Sequence, residues 1–211
     1  MFLKCRAGQY NYGRQANKTL KDILVPQFIP QEFANIDYEK LNTLNPQSII
    51  NQDFELNISS WQSFELNALF KITGSKTTPV LELEEYGNGK YPYVTTQATN
   101  NGVEGFYDYY TEEGNVLTVD SAVLGYCSYQ PLPFSASDHV EKLIPKFSMN
   151  KYVALFIATI INAEQYRYNY GRKCCQERMR KSRIKLLTKN GEPDFELMEN
   201  YIKSLPYSSS I

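Results

Sequence analysis

Apolar and polar positions divide the chain into a strand-like half and a helix-like half. Between Phe54 and Phe134 they fall in short β-branched and aromatic runs: Tyr91 to Thr96, Gly105 to Tyr110, Val116 to Val119 and Ala122 to Tyr129. Such runs fit a half-buried pleated surface. They are punctuated by Gly87-Asn88-Gly89, Asn100-Asn101-Gly102 and Gly114-Asn115. Glycine and asparagine tolerate the positive φ of tight turns, so each cluster predicts a hairpin turn. After Asn150 the period changes. Asn150 can cap a helix running through Tyr152, Leu155, Phe156 and Thr159 to about Tyr166. The stretch Tyr152 to Ile161 is the longest apolar one and falls short of the roughly 20 residues a membrane span needs, so it predicts a buried helix.

A second helix is predicted from about Lys173 to Ser182, with Cys175, Met179 and Ser182 on one side, flanked by Arg178, Arg180 and Lys181. Ile184-Lys185-Leu186 alternates like a strand and ends at the turn Lys189-Asn190-Gly191. Pro193-Asp194 opens a last helix, in which Phe195, Met198, Tyr201, Ile202 and Leu205 recur at helical spacing up to Pro206. Residues 1–52 hold Pro26, Pro30 and Pro46 with weak periodicity, and predict a short helix or strand followed by an extended connector. The fold class is therefore α+β: a β-rich body with a buried helix, a basic helix and a C-terminal helix. A length of 211 residues with 42% apolar content supports one substantial core.

One pentapeptide occurs twice. Tyr10-Asn11-Tyr12-Gly13-Arg14 returns as Tyr168-Asn169-Tyr170-Gly171-Arg172, and each copy leads through a polar helical stretch into an apolar segment, Ile23 to Pro26 or Ile184 to Leu187. The shared context points to a duplicated module.

The formal net charge of −1 conceals a segregation. Residues 53–120 carry eleven acids against three lysines, whereas residues 167–185 carry eight cations against Glu177 alone. One basic face on an acidic body is the expectation, and a basic face suits a polyanion. The four cysteines, Cys5, Cys127, Cys174 and Cys175, show no CxxC spacing, and no apolar signal follows Met1, which fits a reducing cytoplasm. On that reading the sequons at Asn17 and Asn57 stay unmodified and no membrane is involved.

Catalytic candidates are few. His139 is the single histidine, read as a hydrogen-bonded structural residue rather than a general base. Without a second histidine or a cysteine pair, a zinc site is not expected. Gly87-Asn88-Gly89-Lys90 lacks the spacing of a phosphate loop, Gly13-Arg14 and Gly171-Arg172 make no dinucleotide fingerprint, and no serine sits in a GxSxG elbow. The chain is read as non-catalytic, with no catalytic and no metal-binding residues.

Two segments carry recognition chemistry. Tyr166 to Lys173 interleaves aromatic and cationic groups just before the basic helix. Arginine and lysine anchor phosphates, arginine and asparagine make bidentate contacts with base edges, and tyrosine stacks or hydrogen-bonds. Tyr91 to Gly102 is rich in amides and hydroxyls that suit base edges. A plain solvated helix and an ordinary hairpin are the bland alternatives. The 17 tyrosines also suit a non-catalytic module for carbohydrate or protein, or a single-stranded nucleic-acid platform built on Tyr166, Tyr168 and Tyr170.

The ordered set Tyr91 to Thr96, Asn101-Gly102-Val103, Gly114 to Val119, Phe134 to Asp138, the Tyr-Gly-Arg segment and Ile184-Lys185-Leu186 resembles a target recognition domain of type I restriction-modification specificity subunits, or the similar domain of type IIG enzymes. The likeness covers about Trp61 to Leu187 and continues from Pro193 to Tyr207. It implies residues 1–60 as the tail of a preceding repeat unit plus connector, 61–190 as the recognition domain and 191–211 as a C-terminal helix. It implies sequence-specific binding of double-stranded DNA, with S-adenosylmethionine, Mg and ATP on partner subunits and no cofactor on this chain. The implied partners are an adenine-N6 DNA methyltransferase subunit, a restriction subunit, and a second recognition domain or a second copy of the chain. The expected DNA-binding residues are Thr95, Thr96, Asn100 and Asn101 from the amide loop, and Arg167, Tyr168, Tyr170, Arg172, Lys173, Arg178, Arg180 and Arg183 from the basic segment. The expectation is that both segments face one DNA groove, with phosphate anchoring by Arg172, Lys173, Arg178, Arg180 and Arg183.

Overall fold

The computed structural model describes residues 47–211 apart from 123 and 170. The first Tyr-Asn-Tyr-Gly-Arg copy, Pro26, Pro30, Pro46, Cys5, Asn17 and Tyr170 lie outside the described residues.

A 3-10 turn at Ile58–Ser60 leads into strand β1 (Gln62–Glu65), the one-turn helix α1 (Leu66–Leu69) and β2 (Phe70–Gly74). Helix α2 (Val80–Tyr86) follows, then β3 (Asn88–Val94), β4 (Val103–Tyr107), β5 (Val116–Asp120), β6 (Cys127–Gln130), β7 (Ser135–Ala136) and β8 (Val140–Pro145). The second half contains α3 (Lys151–Ala163), a 3-10 turn at Gln165–Arg167, α4 (Gln176–Lys181), β9 (Arg183–Leu186), the short β10 (Thr188–Lys189) and β11 (Glu192–Pro193), and α5 (Phe195–Ser204). The strands make a four-stranded sheet in the order β2-β8-β5-β6, a three-stranded sheet β4-β3-β7 and the ribbons β1-β9 and β10-β11. The α+β expectation holds, and no helix among the described residues is long and apolar enough to cross a membrane.

Strand β5 is buried along its whole length because sheet neighbours cover both edges. Its central polar residue Thr118 is accommodated by a closed network: the hydroxyl lies 2.9 Å from Ser128 Oγ, and Gln130 Nε2 lies within 3.0–3.2 Å of both hydroxyls and of the Asn101 carbonyl, sharing its two N–H groups among them. Buried polar groups survive only when satisfied in this way, and here the network also fixes the Asn100 to Gly102 turn against β6.

Helix α3 is buried as the apolar run predicts, through Val153, Ala154, Phe156, Ile157, Ala158 and Ile161. Asn150 caps it by accepting from the N–H groups of Tyr152 and Val153. The helix packs on β6 and α5, with the Phe156 ring 5.9 Å from Trp61 and edge-on to Tyr201 at 5.9 Å. Burying side chains of this size contributes about 1.5–3 kcal/mol each. The α-helix stops at Ala163, short of the expected Tyr166, because Glu164 leaves the helical region and the chain tightens into the 3-10 turn. Thr159, expected within the helix, faces solvent and returns its hydroxyl to the Leu155 carbonyl.

Other differences have local causes. The basic helix spans Gln176–Lys181 rather than 173–182, since Cys175 adopts extended backbone at its N-cap and Cys174 is drawn into the core. Gly87-Asn88-Gly89 is not a hairpin turn: Gly87, at φ 75°, ends α2, while Asn88 and Gly89 already belong to β3. Helix α2 lies inside the segment read as β-like; it buries Leu83 alone and is too short to show a period. The run Ala122 to Tyr129 is a strand only from Cys127, because the Asp120 carboxylate accepts from the Ala122 and Leu124 N–H groups and closes a turn there. The turns at Asn100 to Gly102, Asn115 and Asn190-Gly191 do take positive φ. Asp194 caps α5 through the Leu197 N–H, and Met198 and Ile202 are buried beneath it.

Candidate nucleic-acid interface

Three elements converge on one groove of about 580 Å³. The ribbon β1-β9 contributes Ser63, Arg183 and Lys185; the chain after α3 contributes Glu164, Arg167, Tyr168 and Arg172; α4 and its end contribute Arg178, Lys181 and Ser182. Among the described residues six cations thus share a wall with one carboxylate, Glu164. Strand alternation explains the ribbon's part: Ile184 and Leu186 point into the core, so Arg183 and Lys185 face outward.

The turn carrying the second Tyr-Gly-Arg copy is built from both sides. Arg172 N–H donates to the Asn169 carbonyl at 2.9 Å and Asn169 N–H donates to the Arg172 carbonyl at 3.2 Å, closing a two-residue hairpin. Before it, the Tyr168 hydroxyl lies 2.9 Å from Ser182 Oγ. Burial pushes the Tyr168 phenol pKa up, so it stays protonated and available for that bond. After it, Cys174 is buried against Gly125, where any Cβ would stand 2.7 Å from the Cys174 sulfur. Gly125 has φ 74°, so both its conformation and its bareness are required.

The cations are held differently. Arg167 Nε pairs with Glu164, and its guanidinium lies 5.6 Å from the centre of the exposed Tyr166 ring. The Tyr166 hydroxyl contact and the Glu164 charge hold Arg167 firmly protonated. Arg183 Nη1 lies 2.9 Å from Glu65 Oε1, and Lys181 pairs with Glu177 at 2.9 Å. Arg178 Nη1 donates to the Lys173 carbonyl. Arg172 and Lys185 are exposed and make no ion pair among the described residues. Arg180 lies apart from the groove, donating to the Ile72 carbonyl of β2 and to Gln176. Lys173 is exposed but does not line the groove.

The amide loop lies elsewhere. Asn100 and Asn101 line a separate depression of about 500 Å³ with Pro92, Phe106 and Leu132. Asn101 Nδ2 donates to the Tyr129 carbonyl, and Thr95 N–H bonds to Gly102. Thr95 and Thr96 are half-buried. No hydrogen bond, ion pair or shared cavity joins this loop to the basic groove among the described residues.

Several residues in or beside the groove fall outside the expectations from sequence. Ser63, Glu65 and Glu164 carry no signal of their own in the sequence, since the first two lie more than a hundred residues from the basic stretch they meet. Lys181 and Lys185 belong to the basic run, but only strand and helix orientation selects them. Elsewhere, the His139 side chain is exposed at φ 62°, with Nε2 3.3 Å from Asp138. Among the described residues no group of three His, Cys, Asp or Glu side chains is placed to hold a metal ion. Of the tyrosines, Tyr86 and Tyr109 stack on each other at 4.2 Å, which covers one face of each ring.

A family model described as the type I restriction modification DNA specificity domain matches residues 58–205. The specificity subunit S.BcgI of a type II restriction enzyme from Heyndrickxia coagulans is 26% identical over 215 residues, covering 92% of this chain and 61% of that subunit. The chain therefore spans less than two thirds of that relative's length. Among solved structures, the S subunit of a type I restriction-modification system from M. genitalium aligns with 69% of this chain and 37% of its own at 16% identity and a TM-score of 0.49. The HsdS subunit from Thermoanaerobacter tengcongensis aligns with 74% of this chain and 38% of its own at 12% identity and a TM-score of 0.49.

Proposed function

This chain belongs to the family of type I restriction modification DNA specificity domains, and from that premise we propose that it recognises a short stretch of double-stranded DNA through the groove between β9, α4 and the Asn169 to Arg172 turn. The observation that carries the reading is the convergence of Arg167, Arg172, Arg178, Lys181, Arg183 and Lys185 on one wall. A duplex carries one negative charge per about 1.7 Å of its axis, and neutralising it releases condensed counterions. With about four phosphates neutralised, affinity falls roughly 100-fold between 50 and 200 mM salt.

The chain acts as the specificity component, or part of one, in the cytoplasm, and performs no bond-making itself. It directs an adenine-N6 methyltransferase subunit and a restriction subunit to one half of a split site. S-adenosylmethionine, Mg and ATP belong to those subunits. A second recognition domain, or a second copy of this chain, reads the other half.

The test is charge reversal at two exposed groove positions, Arg178→Glu and Lys185→Glu together. Duplex binding by fluorescence anisotropy should weaken at least tenfold, and the slope of log affinity against log salt should flatten by about two. Unchanged binding by a variant with wild-type thermal stability overturns the reading.

A further inference from the structure

We infer that Arg172 is the base-reading residue of this groove and that the base it reads is guanine, while the remaining cations position the backbone. The inference rests on the DNA-binding reading above and divides its cations by what already holds them.

Reading a base edge places two demands on a side chain. Its donors must be uncommitted, and its backbone must be fixed before the nucleic acid arrives, because a mobile arginine loses the entropy of ordering on every encounter. Arg167 and Arg183 have donors committed to Glu164 and Glu65, and Arg178 has one committed to the Lys173 carbonyl. Lys181 is paired with Glu177. Among the described residues two uncommitted cations line the groove, Arg172 and Lys185. Lys185 ends in an ammonium, a compact charge without directional preference that suits a phosphate. Arg172 ends in a planar fork whose parallel donors match O6 and N7 of guanine in the major groove.

The second demand separates Arg172 further. It closes the two-residue hairpin with Asn169 through bonds in both directions. That hairpin is fastened on its leading side by Tyr168 to Ser182 and on its trailing side by the buried Cys174 and by Arg178 holding the Lys173 carbonyl. The side chain therefore leaves a backbone that is braced on both flanks, while its own end remains in solvent. A flanking residue with φ near +74°, Gly125, exists to let the brace close.

The experiment uses the full chain and a duplex library with a randomised core of about 20 base pairs, selected by binding and sequenced. The wild type should enrich a motif containing G·C at one position or more. Arg172→Lys keeps the charge but removes the fork, so it should keep total library affinity within about threefold and the same salt dependence. It should nevertheless lose discrimination at one G·C position by about 5- to 150-fold. Lys189→Gln, a change at an exposed cation outside the groove, should leave the motif intact. Replacing the guanine of the selected duplex by 7-deazaguanine removes the N7 acceptor, and should weaken the wild type while leaving Arg172→Lys unaffected. An unchanged motif in Arg172→Lys overturns this inference and leaves the DNA-binding reading standing. A wild type that binds no duplex, or enriches no motif, overturns both.

Discussion

Arg183 and Glu65 meet across the β1-β9 ribbon, Nη1 to Oε1 at 2.9 Å, while Ser63 occupies the other guanidinium nitrogens through its hydroxyl at 3.0 Å and its carbonyl at 2.8 Å. The pair joins residues 118 positions apart and puts a second carboxylate, after Glu164, beside the groove proposed to bind DNA.

Glu65→Gln should therefore tighten binding to duplexes of any sequence. Both partners are about half exposed, so the gain is modest, about twofold to fivefold at low salt and less at 0.3 M. Anisotropy titrations at two ionic strengths measure it. Weaker binding would mean that the carboxylate's service in orienting Arg183 outweighs its charge.

Asn162 imitates a strand neighbour for the end of β6. Its Oδ1 accepts from the Cys127 N–H at 2.7 Å and its Nδ2 donates to the Cys127 carbonyl at 2.8 Å. Asn162→Ala leaves two buried backbone groups without partners, a cost of about 2–4 kcal/mol. Thermal unfolding should move down by roughly 5–15 °C, and a shift under 2 °C would show that water replaces the amide there.

Gly125→Ala should damage the groove from beneath. The new Cβ would stand 2.7 Å from the Cys174 sulfur and 2.9 Å from its Cβ, on backbone at φ 74°. Displacing Cys174 releases the trailing side of the Asn169 to Arg172 hairpin. We expect a loss of about 1–3 kcal/mol in stability, together with weaker duplex binding in the fraction that remains folded. Binding equal to the wild type would separate the brace from the interface.

Burial pushes the Cys174 thiol from 9.0 up to about 12, and raises Cys127 as well. Between 9 and 12 the folded chain keeps a proton at Cys174 that the unfolded chain gives up. The stabilisation is thus complete below pH 9 and is lost as pH rises through that window, by up to about 1.4 kcal/mol per pH unit for each thiol. Urea unfolding at pH 8, 9.5 and 10.5 should show a shallower decline for Cys174→Ala than for the wild type. At pH 8 a maleimide should label the half-buried Cys175 ahead of Cys127 and Cys174, read by peptide mass.

What the sequence determined by itself was whatever depends on near neighbours. The Asn150 and Asp194 caps, the apolar run of α3, the spacing within α5 and the turns at Asn100-Asn101, Asn115 and Asn190 are decided within a few residues, and each is where local chemistry places it. The segregated charge likewise announced a basic face, because eight cations within residues 167–185 cannot all be buried. The exceptions are short elements such as α2 and α4, in which one or two buried residues set the boundary and no period has room to develop.

The tertiary structure decided which cations work together and in what role. Arg180 belongs to the same basic run as Arg178, yet a carbonyl on β2 draws it away from the groove. Arg183 is tied to Glu65 and Arg172 is not, a distinction set by which strand pairs with β9. The amide loop sits on its own depression because Gln130 and the β6 edge hold it there. The physical reason is common to all three: a charge or an amide is committed by the nearest complementary group in space, and packing brings that group from a distant part of the chain.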